Sequence, residues 1–180
     1  MNMTHYMELL ATNQPWNLLL FMALPVILAE TVAITELYLL YTRRLDGWVR
    51  QVNRWAGVTV GIYFVGVIAY LLITAVLPIS RAGEWRSIID VTAVGAYLLG
   101  GIPLILIAML DIGLTHRNLS DEQRLGWHAG YVAAFLVLAH VAMIAGMTDP
   151  ALFGYQPPMA AAGQAMPGME SMDGMHMQAE

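Results

Sequence analysis

Residues 88–114 read IIDVTAVGAYLLGGIPLILIAMLDIGL, with Asp90 and Asp111 as the only charged residues. At 1.5 Å per residue a helix of this length rises about 40 Å, more than the ~30 Å hydrocarbon layer of a bilayer. Lipid offers no partner to an unpaired backbone group, and the run is too long and continuous for a barrel strand, so it must be a helix. Three other stretches read the same way: Trp16–Tyr41, Ala56–Ile79 and Trp127–Met147. The predicted fold is all-α: an integral membrane, antiparallel bundle of four transmembrane helices over residues 16–147. A short interfacial segment, 1–15, precedes it, and a disordered Met-rich tail, 148–180, follows, where Gly, Pro, Ala, Ser and Gln replace the apolar period.

Composition agrees. Of the 180 residues 58% are hydrophobic and 12% charged, against roughly 25% charged in a soluble domain. Mean hydropathy is +0.61. The eight positive residues are spread over three short loops rather than one face, so nucleic acid is not an expected partner. With no cysteine, thiol–disulfide exchange, Fe–S clusters and thiolate zinc sites are excluded. No hydrolase, kinase or nucleotide motif and no catalytic triad is present, and the chain is not expected to be an enzyme. The first residues lack the positive region of a cleaved signal, so the first span is expected to remain in the mature chain.

Arginines set the expected orientation. The first loop carries Arg43, Arg44, Arg50 and Arg54, the second Arg81 and Arg86, the third Arg117 and Arg124. Placing loops one and three inside gives six positive charges in and two out. Both termini then face outward, which in a bacterial inner (cytoplasmic) membrane means the periplasm. Loop one, with Trp48 and Trp55, reads as an interfacial helix. Ser120-Asp-Glu-Gln123 reads as a capping box that starts the fourth helix in water. Gly57 and Gly61, and Gly126, Gly130 and Ala134, read as close helix contacts. Gly100-Gly101-Ile102-Pro103 predicts a kink or break in the third span.

Polar residues inside the spans are functional candidates, because lipid makes them costly. Glu30 and Glu36 are candidates for a proton or ion path, and Met22 sits on the outward side of Glu30 along the same helix face. Asp90 and Asp111 read as end markers reaching headgroup water. His140, Met143 and Met147 recur at i, i+3, i+7 on the outward half of span four, one stripe of soft ligands. The stripe leads into a tail of six methionines, Met159, Met166, Met169, Met172, Met175 and Met177, with His176 between the last two. Thioethers suit Cu(I), and imidazole suits copper in either oxidation state. Met1, Met3, His5 and Met7 add donors on the same predicted side. A structural role competes at each place: Glu30 bonded to a neighbouring backbone, Met143 and Met147 packed or facing lipid, the tail Met-rich by drift.

Met143-Ile-Ala-Gly-Met147 resembles the Met-x-x-x-Met pair of the high-affinity copper transporter family. The resemblance covers these five residues only, and that family's three-span trimeric pore does not carry over. Met166, Met169, Met172, Met175, His176 and Met177 are similar in composition to the Met-rich segments of bacterial periplasmic copper-handling proteins. The whole chain is similar to small four-span bacterial inner-membrane proteins of uncharacterised role, some called permeases.

The expected function is capture of Cu(I), or a similar soft metal, at the periplasmic face, with onward transport open. The alternatives are a b-type haem or quinone-linked electron-transfer subunit, with His116 and His128 as haem ligands, and an accessory subunit of a larger membrane complex. Expected partners are the lipid bilayer and a periplasmic copper chaperone or larger complex, with self-association also open.

Overall fold

The computed structural model describes residues 3–43, 47–115 and 119–155. A short helix α1, His5–Ala11, precedes four long helices: α2 Trp16–Thr42, α3 Trp48–Ala82, α4 Ile88–Ile112 and α5 Asp121–Met147. All four are long and apolar enough to cross a membrane, and no strand occurs among the described residues. The long helices alternate in direction. Both ends of the bundle and the α3–α4 connection therefore share one face, the terminal face. The other two connections share the opposite, loop face.

Helix α4 is the centre of the bundle. In its most apolar window 56% of residues are buried, against 22%, 28% and 28% in α2, α3 and α5. It packs most extensively on α5 and α3, while α2 leans on α3 and meets α5 over a shorter stretch. A lateral cleft is left between α2 and α5. Phe64, Leu104, Ile107, Val60 and Val32 fill the core, whereas Ile34, Leu37, Ile62, Ile73 and Val137 point outward as a lipid-facing belt. Gly61 faces α4 as its small-residue spacing predicts, with the Ala108 side chain and the Leu104 carbonyl against its Cα.

Several sequence expectations are corrected. The second span starts at Trp48, so the interfacial helix expected in loop one is instead the first two turns of α3. Of the kink or break expected in the third span, the break is absent, because α4 stays helical through Pro103; Gly101 admits Phe64 and Ile68, and Gly100 faces Leu138 and Phe135. Gly126 and Gly130 face open space rather than a neighbouring helix. The segment after α5 is not structureless from residue 148: Pro150–Phe153 form a 3₁₀ turn capped by the Asp149 side chain, and the tail beyond residue 155 lies outside the described residues. The capping box forms as read, with Gln123 N donating to Ser120 Oγ and Ser120 N donating to Gln123 Oε1.

Pro25 reshapes α2 in a way hydropathy does not reveal. Lacking an N–H, it leaves carbonyls one turn back without a donor. The helix widens into a π turn over Leu19–Ala23, where Leu24 N donates to Leu19 O. Tyrosines on two other helices meet the carbonyls so released: Tyr63 Oη donates to Leu20 O at 2.5 Å and Tyr97 Oη to Phe21 O at 2.8 Å. A matching π turn, Leu72–Val76, precedes Pro78 in α3. Tyr97 is buried, so Tyr97→Phe strands the Phe21 carbonyl. The substitution is expected to lower unfolding free energy by about 1–3 kcal/mol, read by denaturant or thermal unfolding in detergent; unchanged stability would mean the carbonyl has another partner.

Candidate metal site

The site at the terminal face is built around Asp90, fully buried in the first turn of α4. A buried carboxylate needs several donors. Asp90 takes the His5 backbone N–H at 2.6 Å, His5 Nδ1 at 2.5 Å and the Arg86 backbone N–H at 3.4 Å. The Arg86 guanidinium meets the Met3 carbonyl and the Glu8 carboxylate. Thr4 caps α1, accepting from Met7 N at 3.3 Å and donating to Gly146 O of α5 at 2.8 Å. Tyr6 lies against Gly146, where a Cβ would come within 2.7 Å of its ring. These contacts pin α1 across the ends of α4 and α5. The expected N-terminal interfacial segment is thus a docked helix.

Docking of α1 creates a cavity of about 270 Å³ lined by Met3, Met7, Met22, Met143 and Met147, with Tyr6. Five methionines from three separate stretches of chain thus line one cavity. Burial pushes the Tyr6 hydroxyl up to about 12, so it stays neutral at any ordinary pH. Next to this cavity, the α2/α5 cleft encloses about 260 Å³ and shares Tyr6, Met22 and Met143 with it. Phe21, Phe64, Tyr97 and Phe135 give the cleft an aromatic lining, and Glu30 and His140 are its charged or titratable members besides the tyrosines. Glu30 is exposed and has no hydrogen-bond or ion-pair partner among the described residues. His140 Nδ1 lies 2.6 Å from the Leu136 carbonyl. Because a carbonyl only accepts, that contact places a proton on Nδ1, and in the neutral ring it leaves the lone pair on Nε2, the arrangement a metal-binding imidazole uses.

The loop face holds a second, different cluster. His128 lies between two carboxylates, with Nδ1 2.6 Å from Glu36 Oε2 and Nε2 3.1 Å from Asp111 Oδ2. Asn53 Nδ2 bonds Glu36 Oε2 at 3.1 Å, Thr35 Oγ1 at 2.9 Å and the Val32 carbonyl at 3.3 Å. All four long helices contribute, and Glu36, Asn53, Asp111 and His128 are all buried. The two ring nitrogens diverge, one to each carboxylate, so the three side chains cannot converge on one ion. Among the described residues no group of three or more His, Cys, Asp or Glu side chains is placed to hold a metal.

The candidates separate accordingly. His140 and Met143 line the cleft, Met143 and Met147 line the cavity, and Met22 and Glu30 join them from α2. Glu36 belongs to the loop-face cluster instead. His5 is engaged with Asp90 and is not a donor for the cavity. Asp90 and Asp111 are not end markers in headgroup water but buried anchors. His128, one of the two expected haem ligands, stands in the loop-face cluster between Glu36 and Asp111; His116, the other, lies outside the described residues, as do Met166, Met169, Met172, Met175, His176 and Met177. Asn53 and Asp111 were missed as site residues. Their signal is depth: Glu36, Asn53, Asp111 and His128 each lie within about two turns of the loop-face end of their helices.

Family membership follows the same boundaries. The chain belongs to DUF6803, a family of unknown function. The match spans residues 1–162 and so includes every cavity methionine, whereas the methionines from Met166 onward lie beyond it. No curated protein and no solved structure matches the chain.

Gly57 tests how tightly the loop-face cluster is built. A Cβ there would lie 2.5 Å from Asp111 Oδ2 and 2.8 Å from Ile107 Cγ2. Gly57→Ala is expected to cost about 1–3 kcal/mol by overpacking, while Gly66→Ala, where a Cβ meets nothing, should be neutral or gain up to about 1 kcal/mol of helix propensity. Paired unfolding measurements check this, and equal effects at the two glycines would contradict the packing.

Proposed function

We propose that this DUF6803 protein captures Cu(I), or a similar soft monovalent cation, at its terminal face and passes it along the α2/α5 cleft. One observation carries the reading: Met3 and Met7, Met22, and Met143 and Met147, from three separate stretches of chain, line a single cavity. Thioethers bind Cu(I) well and hard cations poorly, so such a lining selects by softness. Among the described residues that lining holds the neutral Tyr6 hydroxyl and the Gln14 amide but no carboxylate, and so offers little attraction for Mg²⁺ or Ca²⁺.

Beyond the cavity, Met22 and Met143 also line the cleft, whose lining includes His140 and Glu30. A cation moving inward would exchange thioethers for an imidazole and then meet a carboxylate that balances its charge, which matters in a low-dielectric surrounding. By the six-to-two distribution of arginines, the terminal face is taken as periplasmic. A periplasmic copper chaperone is then the natural donor, and the Met-rich tail would raise the local metal concentration near the cavity. The exposed apolar belt serves the lipid of an inner membrane, or a larger complex within it.

Titration with Cu(I) or Ag(I) tests this on three chains: full length, one ending at Pro158, and full length with Met7→Leu, Met143→Leu and Met147→Leu combined. Leu and Met are close in volume, so the triple variant should fold at a cost below about 1.5 kcal/mol per site. The shortened chain should keep its tightest binding event, and the leucine variant should lose it or weaken it at least about tenfold, roughly 1.4 kcal/mol. Equal affinity and stoichiometry in the leucine variant and the wild type would remove the cavity from the account.

A further inference from the structure

The loop-face cluster has a proton content that its geometry restricts. His128 approaches a carboxylate oxygen through each ring nitrogen, at 2.6 Å to Glu36 and 3.1 Å to Asp111. A bare ring nitrogen and an ionised carboxylate repel each other at such distances, so each contact needs a proton on one of its partners: Nε2 meets Asp111 in a hydrogen bond, and Nδ1 meets Glu36 as a close ion pair outside hydrogen-bond geometry. Two arrangements satisfy this: an imidazolium between two carboxylates, or a neutral imidazole between one carboxylate and one carboxylic acid. Both hold two protons and carry a net charge of −1. Removing a proton leaves one contact repulsive and doubles the buried charge.

A third proton has a place to go. Glu36 Oε1 is buried and has no hydrogen-bond partner, while Oε2 of the same carboxylate receives Asn53 and faces His128. Adding a proton takes the cluster to net neutrality, the state least costly inside a membrane. A route also exists. Asp111 forms part of the wall of a cleft of about 460 Å³ at the loop face, with Gln51, Arg54, Trp55, Val58 and Ile112. The titratable and charged groups facing the cluster are thus Glu36 from α2, Arg54 at the cleft from α3, Asp111 from α4 and His128 from α5. Arg124 lies one turn before His128 and has a buried Nε without a partner.

We propose that Glu36, His128 and Asp111 form an intramembrane proton-binding site, loaded from the loop face through the Asp111 cleft. Water in that cleft delivers a proton to Asp111, the imidazolium keeps its Nε2 proton and passes its Nδ1 proton to Glu36 Oε2, and the carboxyl of Glu36 holds it; release reverses the order. No bond other than N–H and O–H forms or breaks, and water or hydronium is the only co-reactant. The proposal is independent of metal binding at the other end of the bundle.

Infrared difference spectroscopy of the full-length protein in lipid nanodiscs, between about pH 8 and about pH 5, a window on either side of the ordinary imidazole value, provides the test. Acidification should produce a carboxylic-acid carbonyl band that moves on isotope labelling of glutamate side chains. The band should vanish in Glu36→Gln and persist in Glu30→Gln, which removes the other glutamate within α2. Wild-type protein labelled at histidine gives a second reading that requires no variant: the His128 ring should keep hydrogen-bonded protons on or against both nitrogens at the alkaline end. A band that survives in Glu36→Gln, no band at all, or a His128 ring that titrates like a histidine in open water would each overturn the site. A cluster that only ties helices together would lose stability in Glu36→Gln but would show no such band in the wild type.

Discussion

Buried carboxylates in a protein whose surroundings are lipid must be met by donors from elsewhere in the chain, and three of them organise this bundle. Asp90 does so at the terminal face, where it collects the backbone and ring of His5 and the backbone of Arg86. Glu36 and Asp111 do so at the loop face, where His128 and Asn53 lie between α2, α3, α4 and α5. Removing a donor from any of them would leave an uncompensated charge or force protonation, an effect of several kcal/mol. Apolar packing alone could not specify the arrangement so well, since in lipid the helices gain little by hiding leucines from a medium that resembles them. Small residues such as Gly57 and Gly61 bring the backbones close enough for the polar pairs to meet.

The two faces then differ in chemistry. At the terminal face the Asp90 contacts hold α1 in place, and α1 supplies one wall of a thioether-lined cavity. The metal reading therefore depends on a hydrogen-bonded clasp that contains no metal donor itself. At the loop face the polar groups point at one another, and among the described residues Glu36 Oε1 and His128 Nδ1 are the cluster atoms left without a hydrogen bond, an arrangement suited to protons and unsuited to larger cations. The proposed soft-cation chemistry at one end and proton chemistry at the other rest on which donors the helices present, not on the fold class.

Much of the fold is legible in the sequence. Four apolar runs, the Ser120–Gln123 cap and the His140, Met143, Met147 stripe need only local spacing, and each is a statement about one helix. What fails is facing. Glu30 and Glu36 lie six residues apart and so about 120° apart around α2 at 100° per residue; only the lean of α2 onto α3 decides that Glu36 is buried and Glu30 opens on the cleft. The spacing of Asp90 from the end of its span reads as access to water, because its partner His5 is 85 positions away. Likewise Pro25 announces a disturbed helix, but not that Tyr63 and Tyr97 would complete its backbone bonding. The five cavity methionines are visible one helix at a time, and their meeting depends on the docking of α1.

The central claim is that the folded bundle, rather than its Met-rich tail, presents sulfur to a soft cation. X-ray absorption at the copper edge, recorded on the chain ending at Pro158 loaded with sub-stoichiometric Cu(I) in lipid nanodiscs, tests it most directly. The account predicts a nearest shell dominated by sulfur, and loss of that shell when Asp90→Asn releases α1. A shell of nitrogen and oxygen alone, or no retained copper, would contradict it.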